Sequence, residues 1–193
     1  VGSIISRETA LLLALMSSEN RAAHALARHY PGGMCAFLAA MNIKAKKIGM
    51  LNTRFGDPTG LTINNVSTAI DLAKMVTSAH KYKLIRDFTT TAEAKINVDG
   101  QDLEYRNTNP LVGSPSWDVG LSKTGYISEA GKCLVMQARL AEKPVVIILL
   151  DSAGTLTRVG DANRIKQWMD STDTSHKQSI QTVVMQKSGR NSN

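Results

Sequence analysis

Trp117-Asp118-Val119-Gly120-Leu121-Ser122-Lys123-Thr124-Gly125-Tyr126 is the stretch on which the reading of this chain turns. Its alternation reads as a β-strand, with Val119, Leu121 and Lys123 on one face and Gly120, Ser122 and Thr124 on the other. Such a strand offers backbone donors and acceptors along its edge, with a cation and a hydroxyl at one end. Gly125 removes the side chain that would block a close approach. Those are the parts needed to hold an extended peptide that ends in a carboxylate. Lys, Thr and Gly are common residues, so the triplet acquires meaning only if the rest of the chain supplies partners for it.

After this strand the pattern predicts a second at residues 131–140, a turn at Glu142-Lys143-Pro144 and a third strand at 145–151. Leu134, Met136, Ala138 and Leu140 alternate with Cys133, Val135, Gln137 and Arg139. The third strand is apolar on both faces, which predicts an interior position. Short connections predict antiparallel neighbours. Asp161 reads as the cap of a last helix with Ile165, Trp168 and Met169 facing inward. Residues 171–193 are polar and lack periodicity, which predicts a disordered tail beyond a domain at 1–170. Before the opening strand, residues 89–96 and 103–107 read as short strands joined by Asp99-Gly100, a hairpin signal.

The first half reads as helical. Ser6 can cap a helix over 7–16, with Glu8 in its first turn. The run Ala10-Leu11-Leu12-Leu13-Ala14-Leu15-Met16 is apolar all round and predicts deep burial. Polar residues then interrupt at Ser17-Ser18-Glu19-Asn20, before a second helix near 20–29. Ser17 or Ser18 could simply cap that helix; alternatively Ser18 and Asn20 project into a cleft, the serine relaying a proton and the asparagine binding an amide. Tyr30-Pro31-Gly32-Gly33 stops the second helix. Met34, Phe37, Leu38, Met41, Ala45 and Ile48 mark a third, with Asn42, Lys44, Lys46 and Lys47 on its wet side and Gly49 at its end. The loop Asn52-Thr53-Arg54-Phe55-Gly56-Asp57-Pro58-Thr59-Gly60-Leu61 is dense in turn residues. Thr68-Ala69-Ile70-Asp71 has capping-box character and opens a helix whose stripe is Leu72, Met75, Val76 and Ala79. A helical turn follows around 82–88.

Composition sets bounds. With 193 residues, 42% hydrophobic and 20% charged, the chain is sized for one globular domain with a sizeable core. The longest apolar run, 145–150, is far short of a membrane span. The net charge is +7, but the basic residues form no single block and aromatics are only 5%, which argues against nucleic-acid binding. Cys35 and Cys133 fit no metal spacing and read as two separate buried thiols. His24, His29, His80 and His176 fit no catalytic or metal pattern, and no cofactor is implied.

Ser18-Glu19-Asn20 at a helix junction and Lys123-Thr124-Gly125 on a later strand are two of the three signatures of the penicillin-recognising serine enzymes. Residues 11–33, the loop 52–61, and Arg106-Asn107-Thr108-Asn109 ahead of Lys123-Thr124-Gly125 agree in order and spacing as well. Over residues 4–169 the chain resembles the low-molecular-mass penicillin-binding proteins, in the D-alanyl-D-alanine endopeptidase branch of the D-Ala-D-Ala carboxypeptidase family. The resemblance implies an α+β, β-lactamase/transpeptidase-like fold, an antiparallel sheet packed by helices with an α-helical subdomain. It implies a periplasmic enzyme that attacks D-amino-acid peptide bonds of peptidoglycan through a serine acyl-enzyme and is trapped by β-lactam antibiotics. By motif match Ser18 would pass a proton to the leaving amine and Asn20 would bind the substrate amide. Lys123 and Thr124 would hold the carboxylate, with the strand edge at Gly125 pairing with the peptide.

The family's first signature, the Ser-x-x-Lys that carries nucleophile and base, has no match in residues 1–17. Ser78-Ala79-His80-Lys81 fits the spacing, but it follows Ser18 and lies at the end of a predicted helix, whereas the family nucleophile opens one. The expectation is therefore a C-terminal portion of the enzyme, inactive alone. Without a neighbouring strand, the apolar strand at 145–151 would be an exposed edge, inviting an N-terminal fragment or self-association. A non-catalytic binding fragment is the alternative. A β-lactamase of the same fold fits less well, since Ser18-Glu19-Asn20 and Asp57-Pro58-Thr59-Gly60 resemble the peptidases. Whether terminal D-alanine or a cross-link is cut stays open at this point.

Overall fold

The computed structural model describes residues 2–154 and 156–188. Its first half is helical: α1 (Arg7–Met16), α2 (Asn20–Arg28), α3 (Gly33–Lys47), α4 (Ala69–Ala79) and α5 (Lys83–Thr89). Ser6 caps α1, its hydroxyl accepting the Thr9 N–H at 2.9 Å. Thr68 caps α4 by accepting from Asp71 N–H at 3.2 Å. At α2 the cap is neither Ser17 nor Ser18 but Glu19, whose carboxylate accepts the Arg21 N–H at 3.0 Å. Gly49, at φ 82, lets the chain turn away after α3. Asn42 does not lie on a wet face: it donates to the Phe55 carbonyl and accepts the Phe55 N–H, both at 2.9 Å, pinning the following loop to α3. In that loop the Asp57 carboxylate gathers the N–H groups of Thr59, Gly60 and Thr62. These bonds outweigh its partial burial and hold its pKa below the ordinary value.

A hairpin follows, β1 (Glu93–Val98) paired with β2 (Gln101–Arg106). Asp99 and Gly100 both have positive φ, the backbone a two-residue type I′ turn requires. A short 3₁₀ turn, Pro110–Gly113, leads to β3 (Asp118–Ile127), β4 (Gly131–Leu140) and β5 (Lys143–Ser152), an antiparallel sheet in the order β3-β4-β5. The β4–β5 turn is Ala141-Glu142, both at positive φ, so Lys143 and Pro144 already belong to β5. Contrary to the expectation of an interior strand, β5 is an edge strand among the described residues.

The chain closes with α6 (Thr157–Ser188), which begins before Asp161 and packs on β4 and β5. Its Ala162 enters a core with Leu111, Trp117, Leu134, Met136, Ala138, Leu140 and Ile147; Val159, Ile165 and Met169 pack against it. Trp168 does not face inward: it is 68% exposed, while Trp117 takes the buried place and donates its indole N–H to Asn163 at 3.0 Å. The backbone stays helical through Ser188, over much of the stretch expected as an unordered tail, and residues 189–193 lie outside the described residues. His176 lies where no side chain is described. A second, smaller core joins Ala10, Leu13 and Ala22 to Ile96 and Tyr105 of the hairpin. The all-apolar α1 is less buried than expected, since only Ala10, Leu13 and Met16 are fully inside. Cys133 is half-buried and Cys35 exposed, both as free thiols, so the burial expected of Cys35 is not found. Among the described residues no helix is long and apolar enough to cross a membrane.

Candidate active site

The Lys123 strand departs from simple alternation. The β3–β4 register shifts between Val119 and Leu121, making Gly120 the extra residue of a bulge. Val119 opposes Ala138, Ser122 opposes Met136 and Thr124 opposes Leu134, so Val119 shares its face with Ser122 and Thr124. Leu121 and Lys123 lie on the other face, opposite Gln137 and Val135. The expected grouping of Val119 with Leu121 and Lys123 is therefore wrong: the bulge swaps the faces midway along the strand.

Ser18 comes to this strand from the α1–α2 junction. The first helix ends at Met16, and both Ser17 and Glu19 send their N–H groups back to the Leu13 carbonyl at 3.1 Å. Between them Ser18 takes φ 56, an unusual value for a residue with a side chain. Backbone strain of that kind is found where neighbouring structure over-determines it. Here the Ser18 hydroxyl accepts a hydrogen bond from the Lys123 ammonium. Lys123 donates a second bond to the Thr124 carbonyl at 2.7 Å, and its remaining N–H has no acceptor among the described residues. Ser18 and Lys123, far apart in sequence, are thus brought together.

Two groups the sequence reading did not assign to the site complete it. The Thr124 hydroxyl donates to the Thr108 hydroxyl at 2.6 Å, and Thr108 Oγ1 lies 3.4 Å from Ser18 Oγ. The Arg158 guanidinium, from α6, reaches the carbonyls of Cys133 at 3.2 Å and Gly125 at 3.5 Å. Its signal in sequence is slight, a basic residue early in a helix. Thr108 had a better one, lying in the Arg106-Asn107-Thr108-Asn109 stretch.

The environment of Lys123 sets its chemistry. Burial, with a smaller contribution from the positive charge of Arg158, brings its pKa down to about 8. An ammonium with that pKa holds a proton at neutral pH and can give it up to a neighbouring hydroxyl that has lost its own. The arrangement can attract a carboxylate and supply a proton within one hydrogen bond.

Gly125 is exposed on β3, with an ordinary φ; a Cβ built there would meet only the Cys133 Cβ, at 3.9 Å. Among the described residues nothing within van der Waals range requires glycine there. Asn20 is not brought into the hydrogen-bonded cluster. It opens α2 as an exposed residue and lines a separate cavity of about 920 Å³, which also has Leu61, Leu103 and Tyr105 in its wall. Ser78 sits near the end of α4, and no hydrogen bond joins Ser78 or Lys81 to Ser18, Lys123 or Thr124 among the described residues. His80, beyond the end of that helix, lines a small cavity with Gly120 and Gln137, and Lys123 is not among the residues lining it.

Known proteins share this architecture. A model of the D-alanyl-D-alanine carboxypeptidase family matches residues 1–154. The D-alanyl-D-alanine endopeptidase of Escherichia coli (strain K12) is 49% identical over 172 residues, which make up 88% of this chain and 56% of that protein. The chain thus spans little more than half the length of the curated relatives it matches. Among solved structures, the Streptomyces K15 DD-transpeptidase superposes with a TM-score of 0.81 at 30% identity, covering 89% of this chain and 70% of that one. Penicillin-Binding Protein D2 from Listeria monocytogenes, in its ampicillin-bound form, gives a TM-score of 0.75 at 27% identity, covering 84% and 66%. The antiparallel sheet packed by helices is the fold of these proteins, as expected.

Proposed function

This chain belongs to the D-alanyl-D-alanine carboxypeptidase family, and we propose that it serves the hydrolysis of D-amino-acid peptide bonds in peptidoglycan through a serine acyl-enzyme. The observation that carries the reading is the bond from the Lys123 ammonium to the Ser18 hydroxyl, made at the outer strand that would hold the substrate. Ser18 gives its proton to the leaving amine as the acyl bond breaks and is resupplied by Lys123, whose pKa of about 8 suits the transfer. Lys123 and the Thr124 hydroxyl hold the substrate carboxylate. The free edge of β3 pairs with the extended peptide, and Gly125 leaves room for it. Asn20 binds the substrate amide from the far side of the cleft, a role that requires its exposed side chain to turn toward the strand.

The similarity to proteins named endopeptidases supports cutting of cross-links over trimming of terminal D-alanine. Peptidoglycan peptides are then the partners, β-lactams the inhibitors and the periplasm the place of action. Nucleophile and base are a different matter. Ser78-Ala79-His80-Lys81 is joined to none of the site groups, so these 193 residues supply the relay and the carboxylate wall. The acylated serine must come from a Ser-x-x-Lys segment in addition to them. Fluorescent penicillin with intact-mass analysis tests this. A full-length protein carrying such a segment takes the label and the 193-residue chain does not. A covalent adduct on the 193-residue chain alone overturns the assignment of the nucleophile. A full-length protein that takes no label overturns the reaction class.

A further inference from the structure

We propose that Thr108 is a positioning residue which couples the carboxylate held at Thr124 to the proton relay at Ser18, an inference that rests on the function proposed above. Its hydroxyl stands between the two, 2.6 Å from Thr124 Oγ1 and 3.4 Å from Ser18 Oγ. Its backbone is clamped independently of that hydroxyl. The Thr108 N–H donates to the Met16 carbonyl at 3.2 Å, at the end of the helix that delivers Ser18. On one side the Asn107 amide donates to the carbonyls of Thr89 and Thr91, at 3.0 and 2.9 Å. On the other the buried Asn109 amide donates to Ser122 at 2.8 Å, beside Thr124 on the same strand. The hydroxyl is thus presented at a fixed point by groups that do not need it.

Each hydroxyl has one proton to give. In the structure as it stands, Thr124 gives its proton to Thr108, and the 3.4 Å contact between Thr108 and Ser18 can be made with either hydroxyl as donor; the coupling uses the arrangement in which Thr108 donates to Ser18. Ser18 Oγ then accepts from both Lys123 and Thr108, and its own proton points elsewhere. A carboxylate is a stronger acceptor than a hydroxyl and draws the Thr124 proton to itself. Thr108 then has an oxygen without a donor on one side and turns its own proton to Thr124 Oγ1. That reversal strengthens Thr124 as a donor to the carboxylate and releases Ser18 Oγ from one of its two donors, leaving it to Lys123, which refills the relay. Protons change direction but no bond is made or broken, so the coupling needs no further reagent.

The test is the acylation rate of the full-length enzyme by a penicillin and by the methyl ester of the same penicillin, in the parent, Thr108→Val and Thr108→Ser. Valine keeps the shape and removes the hydroxyl; serine keeps the hydroxyl. The parent is expected to prefer the free carboxylate. In Thr108→Val that preference falls at least about tenfold, while the ester rate changes little; Thr108→Ser recovers most of it. An equal loss on both compounds, or a loss that serine does not restore, makes Thr108 a structural residue and overturns the proposal. An unchanged preference in Thr108→Val overturns it too. A parent acylated by neither compound overturns the reaction class itself, an outcome separate from the other two.

Discussion

The proposed function asks Lys123 to be a cation for a carboxylate and a proton source for a hydroxyl, and its surroundings bear on both tasks. Its ordinary pKa of 10.5, which applies in the unfolded chain, falls to about 8 in the fold. Between those values the unfolded chain binds more protons, so stability rises as pH climbs from 8 toward 10.5. Below pH 8 the buried charge works against folding in full. Lys123→Met is therefore expected to be more stable than the parent at pH 7, with the gap closing by pH 10.5 in urea melts. Binding runs the other way. Affinity for a D-alanyl-D-alanine peptide, read by calorimetry, falls as pH rises through about 8, because the cation is lost. Arg158→Met moves that midpoint upward without restoring 10.5, since burial, the larger cause, remains. An unmoved midpoint would remove Arg158 from the account. Gly125→Ala supplies a contrast on the same strand. The nearest neighbour of the added methyl is the Cys133 Cβ at 3.9 Å, so stability stays within about 0.5 kcal/mol while peptide affinity drops about tenfold or more.

At the level of elements, the sequence was legible wherever a local rule acts alone. Ser6 and Thr68 cap their helices, Gly49 ends one, and Asp99-Gly100 turns the hairpin, each through backbone chemistry confined to a few residues. What stayed hidden depends on a distant partner. The bulge at Gly120 exists because β3 must meet β4 in a particular register, and no neighbour along the chain announces it. Glu19 displaces Ser18 as a cap because the Ser18 backbone is committed to a strained turn that aims its hydroxyl at Lys123. Trp168 and Trp117 carry the same apolar signal, and only packing decides which is buried. Glycine preference follows the same division. Gly131 opens β4 at φ 64, and a Cβ there would lie 2.5 Å from Asp151 Oδ1 and 2.9 Å from Asp151 Cα. Gly131→Ala is expected to cost about 1–3 kcal/mol from the backbone strain alone, measured as a shift in the urea midpoint at constant slope. A loss as small as that of Gly125→Ala would mean the turn relaxes around the methyl.

At the scale of the whole molecule, the described residues show two clusters of buried apolar side chains and a three-stranded sheet whose outer strands differ. One core ties α6 to β4 and β5, the other ties α1 and α2 to the hairpin, and the candidate site lies where Ser18 of the helical part touches Lys123 of the sheet. Both outer strands of the sheet are edges among the described residues, but they differ in character. The β3 edge carries Lys123 and Thr124 and suits a peptide ligand. The β5 edge runs Val145-Val146-Ile147-Ile148-Leu149-Leu150 with no charge, and Ile147 is buried while Leu150 is 42% exposed. Proteins protect such edges with charges, bulges or proline; here Lys143 and Pro144 guard the first end, and the exposed Asp151 with the register shift beside it guards the last, which leaves the apolar middle open. An uncharged apolar strand with free backbone groups gains hydrogen bonds and apolar contact from any added strand. The 193-residue chain is therefore expected to self-associate through β5 as its concentration rises, or to take up an added strand-forming fragment there instead. Light scattering across a concentration series measures the first, and suppression of it by an added fragment measures the second. Leu150→Lys places a charge at an exposed position of that edge and is expected to restore a monomer with an unchanged melting profile. A parent chain that stays cleanly monomeric at high concentration would show that this edge is closed to other strands.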